Sequence, residues 1–586
     1  GGGTWTGSSE INYNVGIGNY SMDAAMNGAT YNTAMGHNAM SGLTTGDENV
    51  GVGGHAGTAF SIGRYNTAFG SNALGNETIG DGSVAIGHNA LLYQISDSNN
   101  ETTGNTGLGY QTGYHNVTGT NNTWVGYRAG FGASSQNNSG NTAVGKGALL
   151  DITTANYNTV MGLDAGANIT TGTGNVILGS SAGGVTTDVD KAVIIGQDAC
   201  YANLTSAADG TVAIGQAALQ ALTSGGGNTS VGYNASLALT TGANNTIMGF
   251  QAFDAADRGE SGNIAIGTYA LGALKEGTGG GDSDNNIAIG YNTLLGGDFS
   301  SNARNLAGNI AIGANALTST GTNAQTGTIA IGHSALTALT TGAGNTAVGY
   351  QAMDANTTSG QSTAVGYSAL GAMTTGGASA GNTAVGRDAG LGITDGIYNT
   401  AVGWQAGDTS NATGVTYVGQ AAGSIGTGNY CIFVGMGAGE SGDNTQAGTI
   451  GIGKDALTAL TSGADNIAIG YQAMDALTTG EKNIAIGRNA IGNGSNAGVD
   501  YNIAIGMGAG ASFGDNAVSN TILIGYDAGG QINNSGGSYT VAIGRSALGA
   551  LTSGEGNVAI GYQALDAEDD GDKATAVGYQ ALTAQT

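Results

Sequence analysis

One short phrase, repeated along the chain at a nearly fixed interval, limits what this polypeptide can become. It reads Asn345-Thr346-Ala347-Val348-Gly349-Tyr350-Gln351-Ala352-Met353, with variants from Asn14-Val15-Gly16-Ile17-Gly18 to Thr575-Ala576-Val577-Gly578-Tyr579-Gln580-Ala581-Leu582. The Gly that closes each copy serves as a marker. There are 32 markers between Gly18 and Gly578; their spacing averages about 18 residues and is most often 17. Self-similarity at such a period means that each copy is a unit too small to bury its own apolar side, so neighbours must stack. Residues 1–586 are therefore read as one repetitive body rather than a string of globular domains.

Within a coil, slots are counted from the marker Gly as zero. Slot −4 is Asn in 21 of the 32 coils, slots −3 and −1 are mainly Thr, Val or Ile, and slot −2 is usually Ala. That alternation is a short strand with β-branched residues on one face and small ones on the other. Slot +3 is Ala almost throughout, slot +4 is mainly Leu, Met or Gly, and a turn such as Thr340-Thr341-Gly342 often precedes the next Asn. At about 3.3 Å per residue a 17-residue coil has a contour of about 56 Å. It is expected to flatten into two short strands and two turns around a thin row of Val, Ile and Leu. The expected fold is all-β: a parallel β-solenoid of about 32 coils with the slot −4 Asn side chains stacked in an amide ladder. Rises of about 4.8 Å would make it a shaft roughly 150 Å long. A competing reading puts Ala335 to Thr340 in a helical turn, as in leucine-rich repeats, although so short a segment is a poor helix.

Composition supports stacking. Gly is 113 of 586 residues and Pro is absent; a ladder in which every N–H donates to the next coil leaves little room for Pro. Collagen is excluded, since Gly does not occupy every third position. The net charge of −27, with 13 Lys plus Arg, argues against a nucleic-acid partner and favours a soluble, self-repelling surface. Cys200 and Cys431 lie thirteen coils apart, roughly 60 Å in a stack, so no bridge between them is expected. No targeting or transmembrane run is visible, and membrane insertion is not expected. The ends, Gly1-Gly2-Gly3 and Gln585-Thr586, read as cuts within a longer polypeptide. A thin core also makes lateral association of chains the natural remedy, with the Ala/Gly face as the expected contact.

Motifs that look chemical fall in register with the repeat. Gly140 to Gly147 and Gly448 to Asp455 approach a phosphate-binding loop through Lys146 and Lys454, but both lack the final Ser/Thr and a following helix. Gly179-Ser180-Ser181-Ala182-Gly183 matches a nucleophile-elbow pattern; His37, His88 and His333, however, share slot +1, where other coils place Tyr. The acidic turns Asp566 to Asp572 and Asp282-Ser283-Asp284 follow neither the EF-hand nor the calcium-roll spacing, and solvated turns are expected. No catalytic, cofactor or metal residue is therefore assigned, and the chain is not expected to be an enzyme. Slot +1 carries Tyr110, Tyr127, Tyr233, Tyr291, Tyr350, Tyr367, Tyr471, Tyr526, Tyr562 and Tyr579, with Phe250 and Trp404 as equivalents. Such a row packs along the stack or stacks sugar rings, with packing the expected role. Long intervals mark insertions at 92–104, 273–285 and 295–308, expected to bulge as polar loops where recognition sites are common or surface slack is tolerated.

The Asn-x-Ala-(Ile/Val)-Gly-x-x-Ala unit resembles the head repeats of YadA-like trimeric autotransporter adhesins. It is also similar to the Asn-Thr-Ala-Val-Gly-Tyr-Gln-Ala-Leu repeats of phage tail-fibre proteins. The resemblance covers about Asn14 to Leu582. It implies a left-handed β-roll, three identical chains around one axis, and a place on a virion or cell surface. The function it implies is a structural fibre shaft positioning a host-recognition tip, with a receptor or glycan bound through the tip or loops. An adhesin head is the alternative, and a calcium- or ice-binding solenoid is a second one.

Overall fold

The computed structural model describes residues 13–583 except 99–100, 135, 276–281, 298–304, 321–322, 375–379, 425–427, 441–446, 495–497, 515–516 and 568. The chain divides into two compact units, Gly1–Arg304 and Asn305–Thr586. Each is a stack of parallel three-residue strands at slots −3 to −1, from Val15–Ile17 to Ile287–Ile289 in the first unit and from Ile310–Ile312 to Thr575–Val577 in the second. Equivalent slots sit side by side. In the first unit Thr142 pairs with Thr159 and Val144 with Met161; in the second Thr346 pairs with Thr363, Ala347 with Ala364 and Val348 with Val365. The expected all-β parallel solenoid is what the chain forms.

The marker Gly is required by both its conformation and its neighbours. Marker φ values run from +126° to +147°, a region L side chains rarely enter. A Cβ on Gly349 would lie 2.6 Å from the carbonyl carbon of Gly366 on the next rung, while the Gly366 N–H donates to Val348 O at 2.8 Å. Past the marker the backbone enters the left-handed region at slots +2 and +4, as at Gln351 (φ 52°) and Met353 (φ 51°), and again at slot −5, as at Gln361 (φ 58°). Among the described residues these corners fold the coils without a second regular strand, save the two-residue strands of the Gly313 and Gly332 coils, so the two-strand expectation is corrected to one for the rest. The arc opposite the strand still bonds rung to rung: Leu336 N–H donates to Ala352 O at 3.0 Å and Thr340 N–H to Thr357 O at 2.8 Å. Leu336 itself has φ 53°, incompatible with the helical turn of the leucine-rich-repeat reading.

The expected core is inverted. Slot −2 points inward and is buried, as for Ala347 and Ala364, together with Ala352 at +3, Met353 at +4 and Leu339 at +7. The β-branched residues at −3 and −1 face outward, half-exposed, in almost every rung. A thin coil has room for Ala where the strand meets the opposite arc, and the larger volume comes from slots +4 and +7. Where an aromatic takes slot −2, slot +4 gives way. The Trp124 ring fills the space in front of Gly113 and Gly130, and Tyr417 and Phe433 lie against Gly407, Gly423 and Gly439.

The Asn ladder forms and is buried. Asn466 Oδ1 accepts the Asn483 N–H at 3.0 Å and Asn483 Nδ2–H at 3.1 Å, while Asn466 Nδ2–H donates to Gly480 O at 2.7 Å. Each amide therefore ties a strand to the next rung and to the turn ahead of it, which satisfies polar groups that burial would otherwise penalise. Cys431 replaces Asn in this slot, and Cys200 fills slot +4; both thiols are buried.

The inserts are less loose than expected. Ile95 N–H donates to Val117 O at 2.8 Å and Thr102 bridges Asp81, so the 92–104 insert is held to the stack on both sides of residues 99–100, which lie outside the described residues. Of 273–285, Ala273 and Lys275 donate to Leu295 O and Gly297 O, and 276–281 lie outside the description. Of 295–308, residues 298–304 lie outside it, while Leu306–Ala307 pairs with Gln325–Thr326.

Candidate functional site

Three surface features stand out. The first is the outward strand face. Because Ala takes the inside, Thr, Val and Ile at −3 and −1 form two ranks along each stack. Slot −1 leaves large apolar side chains in water: Met35 is 45% and Phe69 53% exposed in the first unit, and Val385 is 38% exposed in the second. Contiguous apolar ranks of this kind mark interaction surfaces.

The second is the slot +1 column, whose rings stack on one another. Tyr110 and Tyr127 lie 5.2 Å apart with planes 9° from parallel, and Tyr350 and Tyr367 lie 5.1 Å apart at 11°. His88 and His333 join it by stacking on Tyr110 and Tyr350, and His37 meets Tyr20 and His55 edge-on. Cations in the same slot lie over the rings, with Arg387 5.5 Å from the Tyr367 centroid and Lys454 5.5 Å from that of Tyr471. Such pairs contribute about 0.5–1 kcal/mol at exposed sites. The column is packing along the stack, and Lys454 is used there rather than in a phosphate loop. Lys146 is followed by turns, with Gly147 at φ 65°. Ser181 sits in a left-handed corner (φ 53°), its N–H donating to Leu163 O at 2.8 Å, as any slot +2 residue does.

The acidic turns also have a structural use. A carboxylate at slot −6 accepts a backbone N–H of the preceding rung: Asp190 Oδ1 from Thr173 at 2.6 Å, Asp284 Oδ1 from Ser261 at 2.6 Å, and Asp572 Oδ1 from Glu555 at 2.7 Å. Burial raises the Asp284 carboxyl above the ordinary range although this bond lowers it. Glu568, within the densest acidic turn, lies outside the described residues. Among the described residues no three His, Cys, Asp or Glu side chains are grouped to hold a metal ion, and no helix is long and apolar enough to cross a membrane.

The third feature escaped the sequence reading. In three successive rungs, slots +5 and +6 carry Tyr93, Tyr114, His115 and Phe131, where the Gly349 and Gly470 rungs carry Asp354-Ala355 and Asp475-Ala476. Tyr93 stacks on His115 at 5.4 Å and 2°, Tyr114 on Phe131 at 5.1 Å and 7°, and the two stacks stand perpendicular. The Arg128 guanidinium lies 4.4 Å over Phe131. A cavity of about 360 Å³ opens beside this block, lined by Tyr93, Ile95, His115, Val117 and Ser134. The available signal was three consecutive coils with aromatics outside slot +1, next to the 92–104 insertion.

No family model matches the chain. No curated protein matches it either.

Proposed function

We propose that the chain is the shaft of an extracellular fibre, of the phage tail-fibre kind, in which three copies associate laterally and hold a host-recognition element at a fixed distance. The observation that carries this reading is the outward strand face. A single chain leaves two ranks of Thr, Val, Ile, Met and Phe half-exposed along each stack, and identical neighbours offer identical ranks with the same axial repeat. Burying apolar surface contributes about 25 cal/mol per Å², and that contribution recurs at every rung. The contact then lies on the β-branched face, not on the Ala/Gly side, which is internal. The acidic surface elsewhere opposes further lateral growth.

One observation favours the second reading, an adhesin head whose flanks do the binding: the aromatic block around Tyr93 departs from the repeat and opens to solvent. Sedimentation tests the shaft. A mass of three chains is expected; a monomer would overturn it.

A further inference from the structure

We infer that the cavity lined by Tyr93, Ile95, His115, Val117 and Ser134 is a binding site for one neutral hexopyranose ring, presented as a free glycoside or as one residue of a glycan. The argument starts from size. About 360 Å³ lies at the small end of ligand cavities, which run from about 300 to 1,000 Å³, so the site takes one ring rather than an extended chain.

Chemistry narrows the ligand further. No lining residue carries a fixed charge: the walls are two rings, the aliphatic side chains of Ile95 and Val117, and the Ser134 hydroxyl. Burial holds the His115 imidazole below its ordinary pKa, so at neutral pH it is an uncharged donor and acceptor. The chain's net charge of −27 disfavours anionic ligands such as nucleotides or acidic peptides. What complements such walls is a molecule with an apolar face and a rim of hydroxyls. A pyranose has this form: its C–H face lies on a ring or on aliphatic carbon, and its hydroxyls meet the Tyr93 phenol, the imidazole and Ser134. Tyr suits this task because it offers an apolar body and a polar tip.

Preorganisation comes from the surrounding rings. Tyr93 and His115 are parallel to within 2°, and the perpendicular Tyr114 and Phe131 rings brace them. Little side-chain freedom is then lost on binding, which is where weak ligands usually lose affinity. The slot +1 rings, such as Tyr350 on Tyr367, form one parallel column along the repeat, whereas this block at slots +5 and +6 sets two stacks perpendicular to each other. The inference does not depend on chain association; a monomer would carry the site as well.

Saturation-transfer NMR on the full chain tests it, with methyl glycosides of glucose, galactose, mannose and N-acetylglucosamine as probes and indole as the apolar comparison. At least one glycoside is expected to bind with Kd of about 1–10 mM, ordinary for a ligand of a dozen heavy atoms. Tyr93→Ala and His115→Ala should each weaken it about tenfold or more. Tyr93→Phe should retain part of the affinity through its ring, and Tyr350→Ala, in the slot +1 column of the other unit, should change nothing. Unchanged circular dichroism of each variant separates lost binding from lost fold. No transfer to any glycoside at concentrations tenfold above that Kd would overturn the inference. So would transfer to indole alone, or glycoside binding that survives both alanine variants.

Discussion

At the scale of single residues, the repeat is a record of backbone conformation. Gly349 has φ 145° with the Gly366 carbonyl across from it, so Gly349→Ala meets strain and overlap together. A loss of about 3 kcal/mol is expected, from roughly 1–3 for the strained conformation and a similar amount for overpacking. Hydrogen exchange read at the Ile331–Val365 amides checks it locally. Slot +4 shows a subtler rule. Its Leu and Met residues sit near φ 50°, where branching at Cβ is costly, and among the described residues Ile491 (φ 50°) is the one Cβ-branched side chain in this slot. Met353→Leu should cost under about 1.5 kcal/mol and Met353→Val about 2–3; equal losses would contradict the rule. The sequence made Gly legible because no other residue type meets its demands, and Asn legible because it recurs in 21 of the 32 coils. It left the left-handed corners hidden, since Gln351 and Met353 are not residues that announce positive φ.

At the scale of the rung, period-two alternation separates the two faces of Thr346-Ala347-Val348 but does not say which one is inside. Both faces are apolar enough to be buried, and volume decided: the thin coil admits Ala. The compensation of Trp124 by Gly113 and Gly130 follows from the same tight volume and was invisible without knowing that slots −2 and +4 meet. Gly130→Leu should destabilise strongly, by about 3 kcal/mol or more, given the positive φ of 59° at that position. Adding Trp124→Ala should recover part of that loss, a coupling read by a double-mutant cycle. In the amide ladder, Asn345 Nδ2–H donates to Gly342 O and Ser359 O, and its Oδ1 accepts the Ser362 N–H. Asn345→Ala should cost about 1–3 kcal/mol through those orphaned groups, and Asn345→Ser less, as Ser362 and Ser83 already serve in this slot. On the outward face, Val365→Lys with Val385→Lys should lower the sedimenting mass toward that of one chain without changing the rung amides' protection. Persistence of the assembly would place the chain–chain contact elsewhere.

For the whole molecule, charge and burial act together. Asp254, Asp354, Asp408 and Asp475 occupy slot +5, and burial raises each above the ordinary carboxylate pKa, outweighing the backbone bonds that lower it. The folded chain therefore takes up these protons before the unfolded chain, whose carboxyls titrate near 3.8. The stability withheld at neutral pH returns as pH falls through the folded values and is complete below 3.8. Relief of self-repulsion in a chain of net charge −27 acts in the same direction. The melting temperature should rise as pH falls from 7 toward 3.8, and a fall would show that ordinary acid-labile pairs dominate. The most direct measurement of the central claim, that each repeat is one rung with its β-branched face outward, is an experimental density map at side-chain resolution. It should place Gly366 directly over Gly349 at about 4.8 Å, with Ala347 and Ala364 inside and Val348 and Val365 on the surface against a neighbouring chain. Gly349 and Gly366 out of register, or Val348 and Val365 buried within their own coil, would contradict it.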